Sequence, residues 1–181
     1  MIIEGDKMIL NIIVISVIGT IGHFLYEFSN HNKVVALFAA VNESLWEHIK
    51  IALTPTFLWA IYDGFEYGGN PNYFIAKFIS LISVIIFIPL IYYLYTLMIK
   101  KHILFIDIII FYLSIVISQI LFKYFINLQG LDFIYQYLSC IGIFVIFGIY
   151  MSATLLPIKT EIFKDPITNK YGIKGHSHFD H

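Results

Sequence analysis

Five long apolar stretches constrain the fold of this chain more strongly than any other feature of its sequence. A helix needs about 20 mostly apolar residues to cross a bilayer, because its backbone polar groups must be satisfied within the segment. The apolar residues run continuously instead of alternating, which favours helices over the strands of a membrane barrel. The stretches cover residues 8–28, 45–62, 73–98, 103–126 and 131–156.

These lengths predict an all-α integral membrane protein built as a bundle of about five transmembrane helices. We expect residues 1–157 to form the membrane domain and residues 158–181 to form a polar cytoplasmic tail. Turn residues at Asp165-Pro166 and Thr168-Asn169 predict that the tail folds back under the bundle.

The composition excludes several other classes of protein. The chain has 181 residues, of which 59% are hydrophobic and 13% charged, whereas a soluble domain has about 25% charged residues. Its formal charge of -1 provides no basic surface for a nucleic acid. The single cysteine, Cys140, excludes an internal disulfide and a cysteine-built metal site within one chain. Lipid is therefore the predicted partner, while protein partners are not predicted.

Lysines near the ends of the stretches predict the orientation of the bundle in the cell membrane. Lys33, the Lys100-Lys101 pair and the four lysines of the tail all lie on one side if there are five spans. Because cytoplasmic loops carry an excess of basic residues, that side is expected to be cytoplasmic. The N-terminus is then outside and the C-terminus inside. The first stretch has no small-residue cleavage pattern after it and is expected to be a retained span.

The second stretch is the least regular of the five. Pro55 lies in its middle and cannot donate a hydrogen bond to the carbonyl of Ile51, which predicts a kink there. At its start, Ser44 and Glu47 have the spacing of a capping box, and Glu47 with Lys50 forms an i,i+3 pair. These roles would explain Glu47 without any ligand.

Ionisable side chains inside membrane spans are costly, so they are the default candidates for a functional site. His23 and Glu27 share one face of the first stretch, and Glu43 and Glu47 share one face at the start of the second. The short loop between the two stretches makes them antiparallel neighbours with these groups at the cytoplasmic end. The candidate site comprises His23, Glu27, Glu43, Glu47, His48 and Asp107.

Imidazole and carboxylate groups are suitable ligands for Zn, Fe or Mn, so the predicted cofactor is a divalent metal ion. In this interpretation His23, Glu27 and Glu47 are the ligands. Glu43 or His48 would be a further ligand or a general base for a metal-bound water. The same groups would equally serve as a proton relay. No reaction or catalytic residue is predicted, so enzymatic activity stays open.

Asp107 lies one to two turns inside the fourth stretch, where it could join the cluster or pair with Lys100 or Lys101. By contrast, Asp63, Glu66 and Lys77 are expected to remain solvated in the outer loop and at its rim.

Two alternative functions remain open at this point. One is a small proton- or cation-coupled transporter, which would need a homodimer because five helices leave little room for a pathway. The other is a membrane scaffold or accessory subunit in which small residues permit close helix contact. Those residues are Gly19, Gly22, Ser139, Gly142 and Gly148.

The last six residues read His-Ser-His-Phe-Asp-His, which resembles the H-x-H-x-D-H metal-binding signature of the metallo-β-lactamase fold. That fold also needs a preceding strand and further ligands downstream, whereas the given chain stops at His181. We interpret the segment as a solvated tail with three histidines that binds Ni, Cu or Zn weakly at most.

Several motifs resemble a family of small bacterial polytopic membrane proteins with no assigned function. They are Gly-His-Phe-Leu-Tyr-Glu ending at Glu27, Asn-Glu-Ser-Leu-Trp-Glu-His ending at His48, Asn72-Tyr73-Phe74, and the segment 165–173. The resemblance implies a multi-span fold over nearly the whole chain and supplies no activity, substrate or catalytic residue. Residues 174–181 look like an extension beyond that pattern.

Overall fold

The computed structural model describes residues 5–176 and consists of five long helices followed by a short irregular tail. The helices are α1 (Gly5–Phe28), α2 (Leu45–Tyr67), α3 (Tyr73–Ile99), α4 (Leu104–Ile126) and α5 (Phe133–Ala153). Single 3-10 turns cover Val35–Leu37, Glu161–Phe163 and Gly172–Gly175. The predicted all-α class and the five helices are confirmed, and α2 extends five residues further than its apolar stretch.

Four of the helices, α1, α3, α4 and α5, are long and apolar enough to cross a bilayer. In the most apolar 18-residue segment of each helix, only 17% to 33% of the residues are buried. Most of the apolar surface of these helices therefore faces outward. Such exposure is unfavourable in water but natural in lipid, and it is consistent with a membrane protein. The second helix is not among the four, and it carries charged residues near both ends, Glu47 and Lys50 at its start and Asp63 and Glu66 toward its end.

The second helix forms the centre of the bundle. It packs against α1, α3 and α4, and nearly all of its residues from Leu45 to Thr56 are buried. Pro55 lies inside α2 and supplies no N–H to the carbonyl oxygen of Ile51. Gly19 of α1 lies directly against that oxygen, because a Cβ atom at Gly19 would come within 2.6 Å of it. The close approach of α1 and α2 therefore depends on the absence of a side chain at Gly19.

The expectation that Asp63 and Lys77 are solvated is wrong. Their side chains are at most 1% exposed, and the Lys77 ammonium lies 2.5 Å from the Asp63 carboxylate across the α2–α3 contact. The aromatic ring of Phe122 lies 4.0 Å from the same ammonium. Glu66 is half-buried and pairs with Lys7 of α1. Folding of α3 against α2 brings Asp63 and Lys77 together, although the turn between them contains the polar sequence that suggested solvation.

The tail folds back onto the end of the bundle that holds the loop between α1 and α2, as predicted. The ring of Phe163 stacks on Trp46 with centroids 4.8 Å apart. The side-chain amide of Asn42 donates a hydrogen bond to the carbonyl of Gly172 over 2.8 Å. The tail thus forms one wall of the region in which the sequence places its candidate site. The final motif lies outside the described residues except for His176.

Candidate functional site

A cavity of about 520 Å³ lies at the tail-bearing end of the bundle. The end of α1, the starts of α2 and α4, the end of α3 and the tail all contribute to its walls. Its ionisable and phenolic lining includes His23, Glu43, His48, Tyr92, His102 and Asp107. Four of the six predicted site residues therefore share one cavity.

The carboxylate of Glu43 lies between two imidazole rings. Its Oε1 is 3.7 Å from Nε2 of His23, and its Oε2 is 3.7 Å from Nε2 of His48. The two rings are nearly parallel, with centroids 6.2 Å apart and an angle of 17° between their planes. The three side chains are 21% to 39% exposed. Together they form a partly exposed group of one carboxylate and two imidazoles, which offers oxygen and nitrogen atoms as potential ligands.

Contacts from the tail hold Glu43 in position. The backbone N–H of Glu43 donates to Oδ1 of Asp165 over 2.9 Å. The other carboxylate oxygen, Oδ2, accepts from the backbone and the hydroxyl of Thr168, at 2.6 and 2.8 Å. Asp165 itself is 1% exposed. Sequence reasoning missed this residue as part of the site, although the turn chemistry of Asp165 and Thr168 was a usable signal.

Asp107 forms the opposite side of the cavity and pairs differently from the prediction. Its Oδ1 accepts a hydrogen bond from the phenol of Tyr95 at 2.5 Å, and its Oδ2 lies 3.0 Å from Nδ1 of His102. The backbone N–H of Ile103 donates to the same phenol oxygen over 3.3 Å. Tyr95 and His102 take the place expected for Lys100 or Lys101. Neither was predicted, because their contact with Asp107 depends on the turn between α3 and α4.

Glu27 lies beside the main cavity. It lines a smaller space of about 170 Å³ together with His23, Glu43, Asp165 and His176. His23 and Glu43 line both spaces, so the two adjoin, and we refer to them together as the polar region. Nδ1 of His23 is buried and has no hydrogen-bond partner among residues 5–176.

Glu47 is separated from the other candidates. Its carboxylate is buried, lies 2.5 Å from the Lys50 ammonium and accepts a hydrogen bond from the N–H of Val41 at 3.1 Å. The i,i+3 pair with Lys50 is confirmed, but the capping box is wrong. Ser44 occupies the N-cap position, yet its buried hydroxyl makes no capping hydrogen bond. The Glu47 carboxylate is instead paired with Lys50 in the protein interior. The spacing of Ser44 and Glu47 in the sequence does not distinguish this ion pair from a capping box.

The geometry defines what this region is able to do chemically. In the observed arrangement, no three His, Cys, Asp or Glu side chains within residues 5–176 converge closely enough to hold a metal ion. The cavity nevertheless presents two imidazole–carboxylate sets, one at Glu43 and one at Asp107. Groups of this kind can bind a cation or transfer protons.

Comparison with known proteins provides a family but no activity. The sequence model of a family of unknown function, DUF6512, matches residues 2–173. No curated protein and no solved structure matches the chain significantly.

Proposed function

The chain belongs to the DUF6512 family, and we propose that it is a multi-pass protein of the cell membrane that binds a divalent cation in the cavity at the tail-bearing end. The proposed ligands are Glu43, His23 and His48. Zn²⁺, Mn²⁺ and Fe²⁺ are the candidate ions, because carboxylate and imidazole ligands suit all three.

The position of the Glu43 carboxylate between the Nε2 atoms of His23 and His48 carries this proposal. Each contact measures 3.7 Å. Ligand atoms about 2.0 to 2.1 Å from a tetrahedral metal stand about 3.3 Å from each other. Binding therefore requires each imidazole to approach Glu43 by a few tenths of an ångström, and it also requires the two nearly parallel rings, whose centroids are 6.2 Å apart, to turn toward one point. All three side chains are partly exposed, which leaves room for such rotations.

Other groups of the region complete the proposed site. Glu27 lines the adjoining space together with His23 and Glu43, and its proposed role is that of a further ligand or an acceptor for metal-bound water. Asp107 and His102 face the cavity from the other side and provide a second imidazole–carboxylate set. Glu47 is excluded from the ligand set, since its carboxylate already neutralises Lys50.

We place the cavity on the cytoplasmic side of the membrane. Lys100, Lys101 and the lysines of the tail lie at the same end of the bundle as the cavity. The excess of basic residues in cytoplasmic loops supports this orientation. The cation would then exchange with the cytoplasm and not with the medium outside the cell.

A Mn²⁺ titration followed by electron paramagnetic resonance tests the proposed site. The full chain in detergent is expected to bind one Mn²⁺, and Glu43→Gln and His48→Gln are expected to weaken binding at least tenfold each. Asp132→Asn is the matched control, because it removes an exposed carboxylate at the opposite end of the bundle. Binding that is absent in the parent protein, or equal in all four proteins, would contradict the proposal.

Polar side chains inside the bundle support a second candidate, a proton- or cation-coupled transporter. The hydroxyls of Ser80 and Ser118 lie 2.7 Å apart between α3 and α4. Both amide atoms of Gln119 are buried without a hydrogen-bond partner among the described residues, which is a typical environment for an internal water. The Asp63–Lys77 pair lies further along the same interior.

Flux measurements in liposomes test the transport candidate. A pathway through the bundle predicts cation-dependent proton flux that falls at least tenfold in Asp107→Asn and in Gln119→Leu. Flux that is absent in the parent protein, or unchanged by both substitutions, would exclude it.

A further inference from the structure

A second pair of imidazoles joins the tail to the loop that follows α1. Nε2 of His176 lies 2.9 Å from Nε2 of His31. The ring of Tyr26 meets both imidazoles edge to face, with centroid distances of 5.2 Å to each. His176 is 7% exposed and Tyr26 is 1% exposed. We call this contact the histidine clasp; it shares no residue with the proposed ligand set of Glu43, His23 and His48.

The hydrogen bonds of His176 define where its lone pair lies. Its Nδ1 is 3.0 Å from the carbonyl oxygen of Val41. A carbonyl oxygen only accepts hydrogen bonds, so Nδ1 carries a proton. In the neutral ring of His176 the lone pair is then on Nε2. This nitrogen accepts a hydrogen bond from the protonated Nε2 of His31.

This arrangement is typical of a histidine prepared to bind a metal. Metal-ligating histidines almost always donate the second ring N–H to a carbonyl or a carboxylate, which orients the ring and fixes its tautomer. Val41 provides that carbonyl for His176. In a tetrahedral zinc site the ligand nitrogens stand about 3.3 Å apart, only a few tenths of an ångström more than in the clasp.

We propose that His31 and His176 form a binding site for Zn²⁺ or a similar divalent metal ion. The metal would take the place of the proton that lies between the two Nε2 atoms. The proton on Nε2 of His31 is lost to solvent and one is taken up at its Nδ1, so both imidazoles stay neutral with no net proton release, and water completes the coordination of the metal. Two neutral imidazoles favour Zn²⁺, Cu²⁺ or Ni²⁺ over Mn²⁺ or Mg²⁺, which distinguishes the clasp from a carboxylate-containing site. His176 lies beyond the stretch matched by the family, so the site would be a property of this chain.

Metal binding at the clasp would fix the tail against the bundle. His176 follows the Gly172–Gly175 turn, whose first carbonyl accepts the hydrogen bond from Asn42. It also lines the smaller space beside Glu27 and Glu43. A metal at the clasp would therefore stabilise the wall of the polar region without being bound in its main cavity.

Zinc binding to variants of the full chain tests this site separately from the cavity. The background carries Glu43→Gln, His48→Gln and His102→Gln, which remove both imidazole–carboxylate sets of the cavity. It also carries His178→Gln and His181→Gln, which remove the other tail histidines. Isothermal titration of this background in detergent is expected to show one bound Zn²⁺, and X-ray absorption is expected to show two imidazole neighbours at about 2.0 Å.

Substitution of the clasp residues provides the deciding comparison. His31→Gln and His176→Gln in that background are each expected to weaken zinc binding at least tenfold. His31→Cys is expected to restore it, because a thiolate also binds zinc whereas a merely structural role would not be rescued. Tyr26→Phe is the control that leaves both imidazoles in place. Helical content and elution volume confirm that each variant is folded.

The two metal proposals fail in different ways. Absence of zinc binding in the background, or unchanged affinity in both glutamine variants of the clasp, would overturn the histidine clasp as a metal site. Neither result would affect Mn²⁺ binding at Glu43 in the parent chain, which depends on different residues.

Discussion

The carboxylate of Glu47 and the ammonium group of Lys50 lie 2.5 Å apart on α2, and neither side chain is more than 2% exposed. Lys50 also donates hydrogen bonds to the carbonyl of Ala36 at 2.9 Å and to the hydroxyl of Thr154 at 3.0 Å. One buried ammonium thus connects the central helix to the loop after α1 and to the residue that follows α5.

Breaking this buried pair is expected to destabilise the protein strongly. Glu47→Leu leaves a buried ammonium without its counterion, and the loss of unfolding free energy is expected to be about 3–5 kcal/mol. The double variant Glu47→Leu, Lys50→Met removes both charges and is expected to recover most of that loss. Thermal unfolding in detergent measures both effects.

An exposed ion pair provides the control for that experiment. Lys164 and Glu161 are 3.7 Å apart, and the Glu161 side chain is 80% exposed. Glu161→Gln is expected to change the unfolding free energy by less than about 1 kcal/mol. Equal effects of Glu47→Leu and Glu161→Gln would contradict the structural role of the buried pair.

Gly19 is expected to tolerate no side chain. A Cβ atom there would lie 2.6 Å from the Ile51 carbonyl oxygen and 2.7 Å from the ring of Phe111. Since the first of these is a backbone atom, Gly19→Ala is expected to push α1 away from α2 and to cost about 1–3 kcal/mol. Gly148 of α5 is the matched control, because a Cβ atom there meets nothing within 4 Å.

The control substitution Gly148→Ala is expected to change the stability of the protein in the opposite direction. Alanine is favoured over glycine inside a helix by about 1 kcal/mol, so Gly148→Ala should be neutral or slightly stabilising. Comparison of the two unfolding temperatures in one detergent checks the prediction. A destabilisation of the same size at both positions would show that the contact between Gly19 and Ile51 is unimportant.

Asp165 is expected to hold the tail on the bundle. Asp165→Ala removes the acceptor for Glu43 N–H and for both donors of Thr168. The tail should then be released, and cleavage by trypsin after Lys159, Lys164 and Lys170 should accelerate at least tenfold. Asp165→Asn keeps one carbonyl oxygen and should show an intermediate rate. Cleavage at the parental rate in Asp165→Ala would contradict this role.

The orientation proposed here predicts which ends of the bundle face the cytoplasm. In a Cys140→Ser background, a cysteine placed at Lys159 should react with a membrane-impermeant maleimide only after the cells are opened. A cysteine at Gly69, in the turn between α2 and α3, should react in intact cells. The reverse pattern would mean that the excess of lysine does not determine the orientation of this chain.

The helices could be predicted from the sequence because few structures other than a helix satisfy a 20-residue apolar backbone in lipid. Most helix boundaries therefore followed from length to within three residues, although α2 runs five residues past its apolar stretch. The short loop between α1 and α2 was enough to predict that His23 and Glu43 lie together. The partners of the buried charges could not be predicted in the same way. Asp63 and Lys77 meet only because α2 and α3 pack as a hairpin.

The missed part of the site depends on contacts between distant parts of the chain. Asp165 accepts a hydrogen bond from the backbone of Glu43, 122 residues away. Tyr95 and His102 contact Asp107 across the turn between α3 and α4. The helical periodicity of the sequence does not specify the geometry of that turn. Spacing along a helix identifies residues that share a face, but it does not identify the groups that complete a site from a tail or a neighbouring helix.

Anomalous X-ray diffraction from crystals soaked in Zn²⁺ would locate a metal bound in the cavity. A zinc peak is expected between the Glu43 carboxylate and the Nε2 atoms of His23 and His48, with ligand distances of about 2.0 to 2.2 Å. The same peak is expected to disappear in Glu43→Gln. A map with no peak at Glu43, including one in which zinc lies only between His31 and His176, would contradict the proposed cation site in the cavity.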